Sequence, residues 1–156
     1  PMGVTVRPVT SAQDMLEAVQ SALPGTDILI KAAAVADYRP ATVSEHKMKK
    51  SDGDLSIPLS RTEDILRWVA EHRHPGLFVC GFSMETRDLI ENSRAKLEKK
   101  HLDMIAANSL NTEGAGFGVP TNVVTLLTPD GAEQLPLLGK DEVAARLLDA
   151  IEERRK

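Results

Sequence analysis

The chain has 156 residues, 42% hydrophobic, 27% charged and 3% aromatic, with a formal net charge of −4. That is enough for one domain with a real core and the composition of an ordinary globular protein. The acidic balance argues against a general nucleic-acid binder, the few aromatics against base stacking as the main activity, and the lack of any apolar run near the roughly 20 residues of a bilayer span against a membrane protein.

In chain order, Val4 to Val9 reads as a strand. Ser11-Ala12-Gln13-Asp14 reads as a capping-box start to a helix ending near Ala22, with Pro24-Gly25 as the stop. Asp27 to Ala33 is a short apolar run typical of a buried strand. Val35 to Asp54 is polar and cationic. Leu55 to Leu59 alternates, but Pro58 confines it to an edge or a strand end. Thr62 is placed to cap a helix to about His72, Leu77 to Gly81 is a strand, and Thr86 is placed to cap a helix to Lys100. Asp103 to Ala107 is a further strand, followed by a Gly-containing loop from Asn108 to Thr121. Val123 to Leu127 and Glu133 to Leu137 form a hairpin about Pro129-Asp130-Gly131, and Asp141 to Arg155 is a closing amphipathic helix.

Three or four strand–helix units predict an α/β, Rossmann-like, mostly parallel sheet with helices on both faces and a C-terminal antiparallel hairpin. The chain has no GxGxxG and no Walker A sequence, so it opens as if the first units of such a fold were missing. Pro1-Met2-Gly3 lacks the pattern of a signal peptide. The single Cys80 rules out an intrachain disulfide, suits a cytoplasmic setting and, in an apolar strand, reads as a core residue.

Chemistry concentrates around the small-residue run Ala32-Ala33-Ala34-Val35-Ala36. Tiny side chains at the carboxyl end of a strand let a ligand lie on bare backbone. Asp37, next along, suits a ribose or base amino group, a metal or a simple cap. Lys47, Lys49 and Lys50 read equally as a phosphate clamp or as a solvated basic loop. Lys96 and Lys100 share a helical face and suit either a polyanion or a helix C-terminus. Phe82, between a strand and a helix, suits a cover for a sugar or base as well as a core position. Gly114-Ala115-Gly116-Phe117-Gly118 reads as a flexible connection. His46, His72, His74 and His101 have no zinc-ligand spacing, and no Ser sits in a GxSxG elbow. A short-chain dehydrogenase is excluded, because the only tyrosine, Tyr38, has Thr42 where that chemistry needs a lysine.

Ala33-Ala34-Val35-Ala36-Asp37-Tyr38-Arg39, Lys47-Met48-Lys49-Lys50, Asp64-Ile65-Leu66, Gly81-Phe82 with Glu85-Thr86, Lys96 with Lys100, and Ala107-Asn108 together closely resemble bacterial phosphopantothenate–cysteine ligase, also called phosphopantothenoylcysteine synthetase. That ligase is usually the C-terminal half of a bifunctional coenzyme A biosynthesis protein. The resemblance implies that residues 1–156 are the CTP-binding portion of the ligase domain. It implies a reaction in which CTP activates 4'-phosphopantothenate as an acyl cytidylate and cysteine then displaces CMP. Mg²⁺ would accompany CTP, while FMN would belong only to a fused decarboxylase half. Carried over, Ala33 and Ala34 present backbone to the cytosine or ribose, Asp37 binds the nucleotide, and Lys47 is the catalytic flap lysine over the triphosphate. Phe82 lies against the nucleotide, with Lys96 and Lys100 contacting it from their helix. The family's Lys-Asn-Pro-Asp turn stands here as Arg61-Thr62-Glu63-Asp64, keeping only Asp64. The family's catalytic asparagine for cysteine transfer has no assignable counterpart and would precede Pro1. The resemblance implies a cytoplasmic homodimer for the intact enzyme, acting on small molecules and not on nucleic acid or membrane. The alternative is a nucleotide-binding fragment without turnover, and beyond it a scaffold domain that binds no nucleotide.

Overall fold

The computed structural model describes residues 3–44, 46–47, 53–85, 88–109, 115 and 118–156. Helix α1 (Ala12–Ala22) starts at a capping box. The Ser11 hydroxyl accepts from the Asp14 amide at 3.1 Å, and the Asp14 carboxylate accepts from the Ser11 amide at 3.0 Å. A 3-10 turn at Leu23–Gly25 then leads into strand β1 (Ile28–Lys31). An antiparallel ribbon follows, β2 (Tyr38–Pro40) with β3 (Leu59–Arg61). After helix α2 (Ile65–His72) come strand β4 (Phe78–Glu85), helix α3 (Leu89–Lys99) and strand β5 (Met104–Ser109). The chain closes with β6 (Thr121–Asn122), β7 (Val124–Thr128), β8 (Gly131–Gln134), β9 (Leu138–Gly139) and helix α4 (Lys140–Arg155).

The main sheet has the order β1-β4-β5-β7-β8. The first three strands are parallel, and β7 and β8 join antiparallel, the latter through the expected hairpin. Alternation along the strands divides the core in two. Leu29, Val79, Ile105, Ala107 and Leu127 pack against Leu16 of α1, Ile65, Leu66 and Val69 of α2, and Leu97 of α3. Phe78, Cys80, Met104, Ala106 and Leu126 pack on the opposite face against Val143, Leu147, Ala150 and Ile151 of α4. Ile105, Leu127 and Ile151 are fully buried, each contributing roughly 1.5–3 kcal/mol. Cys80 belongs to this core, and burial pushes its thiol up to about 12.

Several local expectations are corrected. Val4 to Val9 forms no strand; Val4 and Val6 lie exposed, with no sheet neighbour among the described residues to take their backbone hydrogen bonds. Asp64, not Thr62, caps α2, because the Thr62 amide is tied to the Asp37 carbonyl at 2.8 Å while the Asp64 carboxylate accepts from the Arg67 amide at 3.2 Å. The β2–β3 ribbon uses residues read as irregular, and Leu59 rather than Leu55 begins its second strand. Thr86 lies outside the described residues, and α3 starts after Asp88.

Candidate functional site

The carboxyl ends of β1, β4 and β5 open on a crevice of about 570 Å³. This is where an open parallel sheet holds ligands, because the connections to the following helices diverge there. Its floor is the irregular segment after β1, from Ala32 to Asp37, in which Ala32, Ala33 and Ala34 are exposed. With methyl groups as side chains, that segment presents mostly peptide backbone. Thr62, Glu63 and Asp64, leading into α2, form a second side. Phe82, Ser83 and Met84 of β4 and Asn108 of β5 complete the strand edge.

Among the described residues, three lysines converge on the crevice. Lys31 ends β1 and donates from Nζ to the Ala33 carbonyl at 3.0 Å. Lys96 reaches from α3 to the Phe82 carbonyl at 3.0 Å. Lys100, one turn on, pairs with the Asp64 carboxylate. Burial pushes Asp64 up, but the Lys100 hydrogen bond and the Arg67 amide outweigh it and bring the carboxyl below its ordinary value. Burial and the nearby Lys96 and Lys100 charges hold Lys31 below the ordinary lysine range, against the pull of Asp64. Of these three ammonium groups only Lys100 is paired with a carboxylate, while Lys31 and Lys96 donate to backbone carbonyls and keep their charge available to an anion.

Of the expected site residues, Ala33, Ala34, Asp37, Asp64, Phe82, Lys96 and Lys100 all line this crevice. Lys47 is exposed and is not on its wall, and Lys49 and Lys50 lie outside the described residues. Phe82, expected between a strand and a helix, lies instead inside β4, which runs on to Glu85; it is half-buried, lines the crevice and packs against the α4-side core. Asp37 sits exposed at the mouth with its backbone carbonyl bound to Thr62. Gly114, Gly116 and Phe117 lie outside the described residues. Sequence reasoning missed Lys31, whose one signal is a cation ending an otherwise apolar strand. It also assigned no role to Asn108, although the residue closes the crevice at β5.

The chain is 47% identical over 145 residues to the coenzyme A biosynthesis bifunctional protein CoaBC of Bacillus subtilis (strain 168), covering 92% of this chain and 36% of that protein. The chain therefore spans little more than a third of that relative's length. The crystal structure of the C-terminal domain of a coenzyme A biosynthesis bifunctional protein CoaBC superposes with a TM-score of 0.79 at 41% identity, over 99% of this chain and 69% of the other. A Cab2 variant solved in complex with phosphopantothenate-cysteine shares the fold, with a TM-score of 0.68 at 19% identity over 96% of this chain and 54% of that one. The family described as the DNA/pantothenate metabolism flavoprotein C-terminal domain matches residues 1–154, and the chain belongs to it.

Proposed function

We propose that this chain forms the CTP site of a cytoplasmic, homodimeric phosphopantothenate–cysteine ligase of coenzyme A biosynthesis. The observation that carries the reading is the crevice itself: bare backbone after β1, faced by Lys31, Lys96 and Lys100 with a single paired carboxylate. Such a wall suits a nucleoside triphosphate, with sugar and base on backbone and phosphates on ammonium groups. The similarity to CoaBC supports a place in coenzyme A biosynthesis.

In this reading a carboxylate oxygen of 4'-phosphopantothenate attacks the α-phosphorus of CTP. The acyl–phosphate bond forms as the α–β bridge breaks, and pyrophosphate leaves with the electron pair. The cysteine amine then attacks the acyl carbon, the amide bond forms, a proton is released and CMP departs. The first step brings an anion onto a polyanion. Lys96 and Lys100 counter that repulsion and the charge that develops on the leaving pyrophosphate. Ala33 and Ala34 offer backbone to the cytosine or ribose, and Asp37 accepts a hydrogen bond from the sugar or base. Asp64 holds the start of α2 and orients Lys100, Phe82 lies against the nucleoside, and Lys47 reaches over the triphosphate from its exposed segment.

Among the described residues no three metal-ligating side chains cluster. The crevice nevertheless has Asp37 and Glu63 on its wall, and Mg²⁺ commonly uses one or two carboxylates together with substrate phosphates. With Asp37 on the sugar or base, the donor set fits a metal carried in on CTP, where it would neutralise phosphate charge and Glu63 would hold it. FMN has no role in this chain's chemistry.

Calorimetric titration with CTP and Mg²⁺, with ATP as comparison, tests the reading. Selective CTP binding is expected, and a folded chain that binds neither nucleotide overturns it. In the same titration Lys47→Gln is expected to weaken CTP about tenfold and CMP much less, because the loss is at the phosphates. Adding 4'-phosphopantothenate and cysteine then separates turnover from binding alone. Pyrophosphate release marks a ligase, and CTP binding without it marks a nucleotide-binding unit.

A further inference from the structure

The crevice is electrostatically two-sided. Lys31 shares the sheet face of Leu29, so it sits with Lys96, Lys100 and Asp64 on the side of α1, α2 and α3. On the other face Phe82 is paired with Ala106 and Met84 with Asn108, placing Phe82, Met84 and Asn108 together. None of these three side chains is charged. The geometry points to Asn108 as a hydrogen-bond donor, oriented by Asn122, that reads a carbonyl oxygen on the uncharged part of the substrate bound in the crevice. This inference rests on the ligase reading and adds a recognition residue to it.

The orientation follows from hydrogen-bond bookkeeping alone. A backbone N–H can only donate, so the Asn122 atom 3.0 Å from the Val123 amide must be its carbonyl oxygen. The other Asn122 atom, Nδ2, is therefore the donor that meets Asn108 at 2.8 Å. Its partner on Asn108 must accept and is the carbonyl oxygen Oδ1. The Asn108 amide is thereby locked, and its NH₂ is left as the end that a ligand can use. Among the described residues, that NH₂ donates to no protein group. An NH₂ group fixed in this way prefers an acceptor-only oxygen and discriminates against an N–H at the same place. Both a pyrimidine carbonyl and a pantothenoyl amide offer such an oxygen. The lysines across the crevice leave the phosphates of either ligand on the opposite face.

Asn108→Asp keeps shape and acceptor but removes the donor. It is expected to weaken ligand binding about tenfold, with Asn108→Ala weaker in effect. Asn122→Asp, which does not line the crevice, should produce a comparable loss because the Asn108 amide must then turn its oxygen outward. In an Asn108→Ala background, Asn122→Asp should add nothing, whereas a merely structural effect would add. Melting midpoints of all variants identify any that unfold, and Asn108→Ser, small and still able to donate, is the fallback with an expected partial loss. Calorimetric titration with CTP, CMP and 4'-phosphopantothenate locates the oxygen. Loss shared by CTP and CMP places it on the base, and loss confined to 4'-phosphopantothenate places it on the amide-bearing acid. Unchanged affinity for all three in folded Asn108→Asp overturns the inference while leaving the ligase reading intact. A wild-type chain that binds none of them overturns the ligase reading and the inference together.

Discussion

At the amino ends of β4 and β5, Arg73 meets Asp103 one to one, whereas at the carboxyl ends only Lys100 of the three crevice lysines meets a carboxylate, that of Asp64. Arg73 donates to the Asp103 carboxylate at 2.9 Å, to the Leu77 carbonyl at 2.7 Å and to the His101 carbonyl at 3.0 Å. Asp103 in turn accepts from the buried Val79 amide at 2.7 Å. This knot ties the α2–β4 connection to the α3–β5 connection and leaves little charge uncompensated. The crevice does the reverse: burial first, and the neighbouring Lys96 and Lys100 charges after it, hold Lys31 below the ordinary lysine range. One end of the same strands is satisfied by the protein itself, and the other is arranged to be satisfied by a ligand. Charge placement therefore separates the part of the sheet that holds the fold from the part that binds.

The sharpest way to break this comparison is at Lys96. Lys100 is largely neutralised by Asp64, but the partner of Lys96 is a carbonyl, so its full charge faces the crevice. Lys96→Met is expected to weaken CTP binding about a hundredfold, near 3 kcal/mol, and Lys100→Met markedly less. Titration of both variants checks the order. Equal losses would mean that the Asp64 pairing does not govern how much charge each lysine offers. The melting midpoint of Lys96→Met should shift little, since its side chain is only half-buried.

At the opposite end the expected effects exchange places. Asp103→Ala strands the Arg73 guanidinium and the Val79 amide, and is expected to cost about 2 kcal/mol of stability. Its affinity for CTP should stay within twofold of the wild type. Urea unfolding measures the first quantity and calorimetry the second. A large loss of CTP affinity in folded Asp103→Ala would show that the two ends are coupled through β4 and β5.

The same contrast explains what could be read before the structure. Short apolar runs marked β1, β4 and β5, and Pro129-Asp130-Gly131 marked the β7–β8 hairpin, because these signals are local. The capping box at Ser11 and Asp14 is local too. The β2–β3 ribbon escaped, since Tyr38 pairs with Arg61 across a long separation and both strands are short, with little burial to imprint a pattern. Val4 to Val9 had the pattern of a strand without a neighbour, among the described residues, to make it one. At the site, Asp37 stood out by its position after a strand and Lys96 and Lys100 by sharing a helical face; Phe82 stood out as lying past a strand that in fact runs through it, and the fold gathers all four around one crevice. Lys31 and Asn108 did not. Lys31 was hidden at the end of an apolar run, and the role of Asn108 depends on an amide contributed by Asn122, which sequence periodicity cannot convey.

The smallest effect sharpens the comparison most, because it titrates the lysine that burial and its charged neighbours hold below the ordinary range. Burial, Lys96 and Lys100 lower the pKa of Lys31, with Asp64 opposing them. Below its folded pKa, Lys31 is charged and attracts phosphate. As pH rises through that lowered value it becomes neutral, ahead of ordinary lysines, and the attraction fades. CTP affinity is therefore expected to decline, by less than tenfold, on the alkaline side and before other lysines discharge. A bound polyanion stabilises the protonated ammonium, so binding in that window should be accompanied by proton uptake, seen as a dependence of calorimetric heat on buffer ionisation enthalpy. Lys31→Met should remove this early decline and the proton uptake. If both persist in the variant, the titrating group is elsewhere, and Lys31 acts only by holding the Ala33 carbonyl.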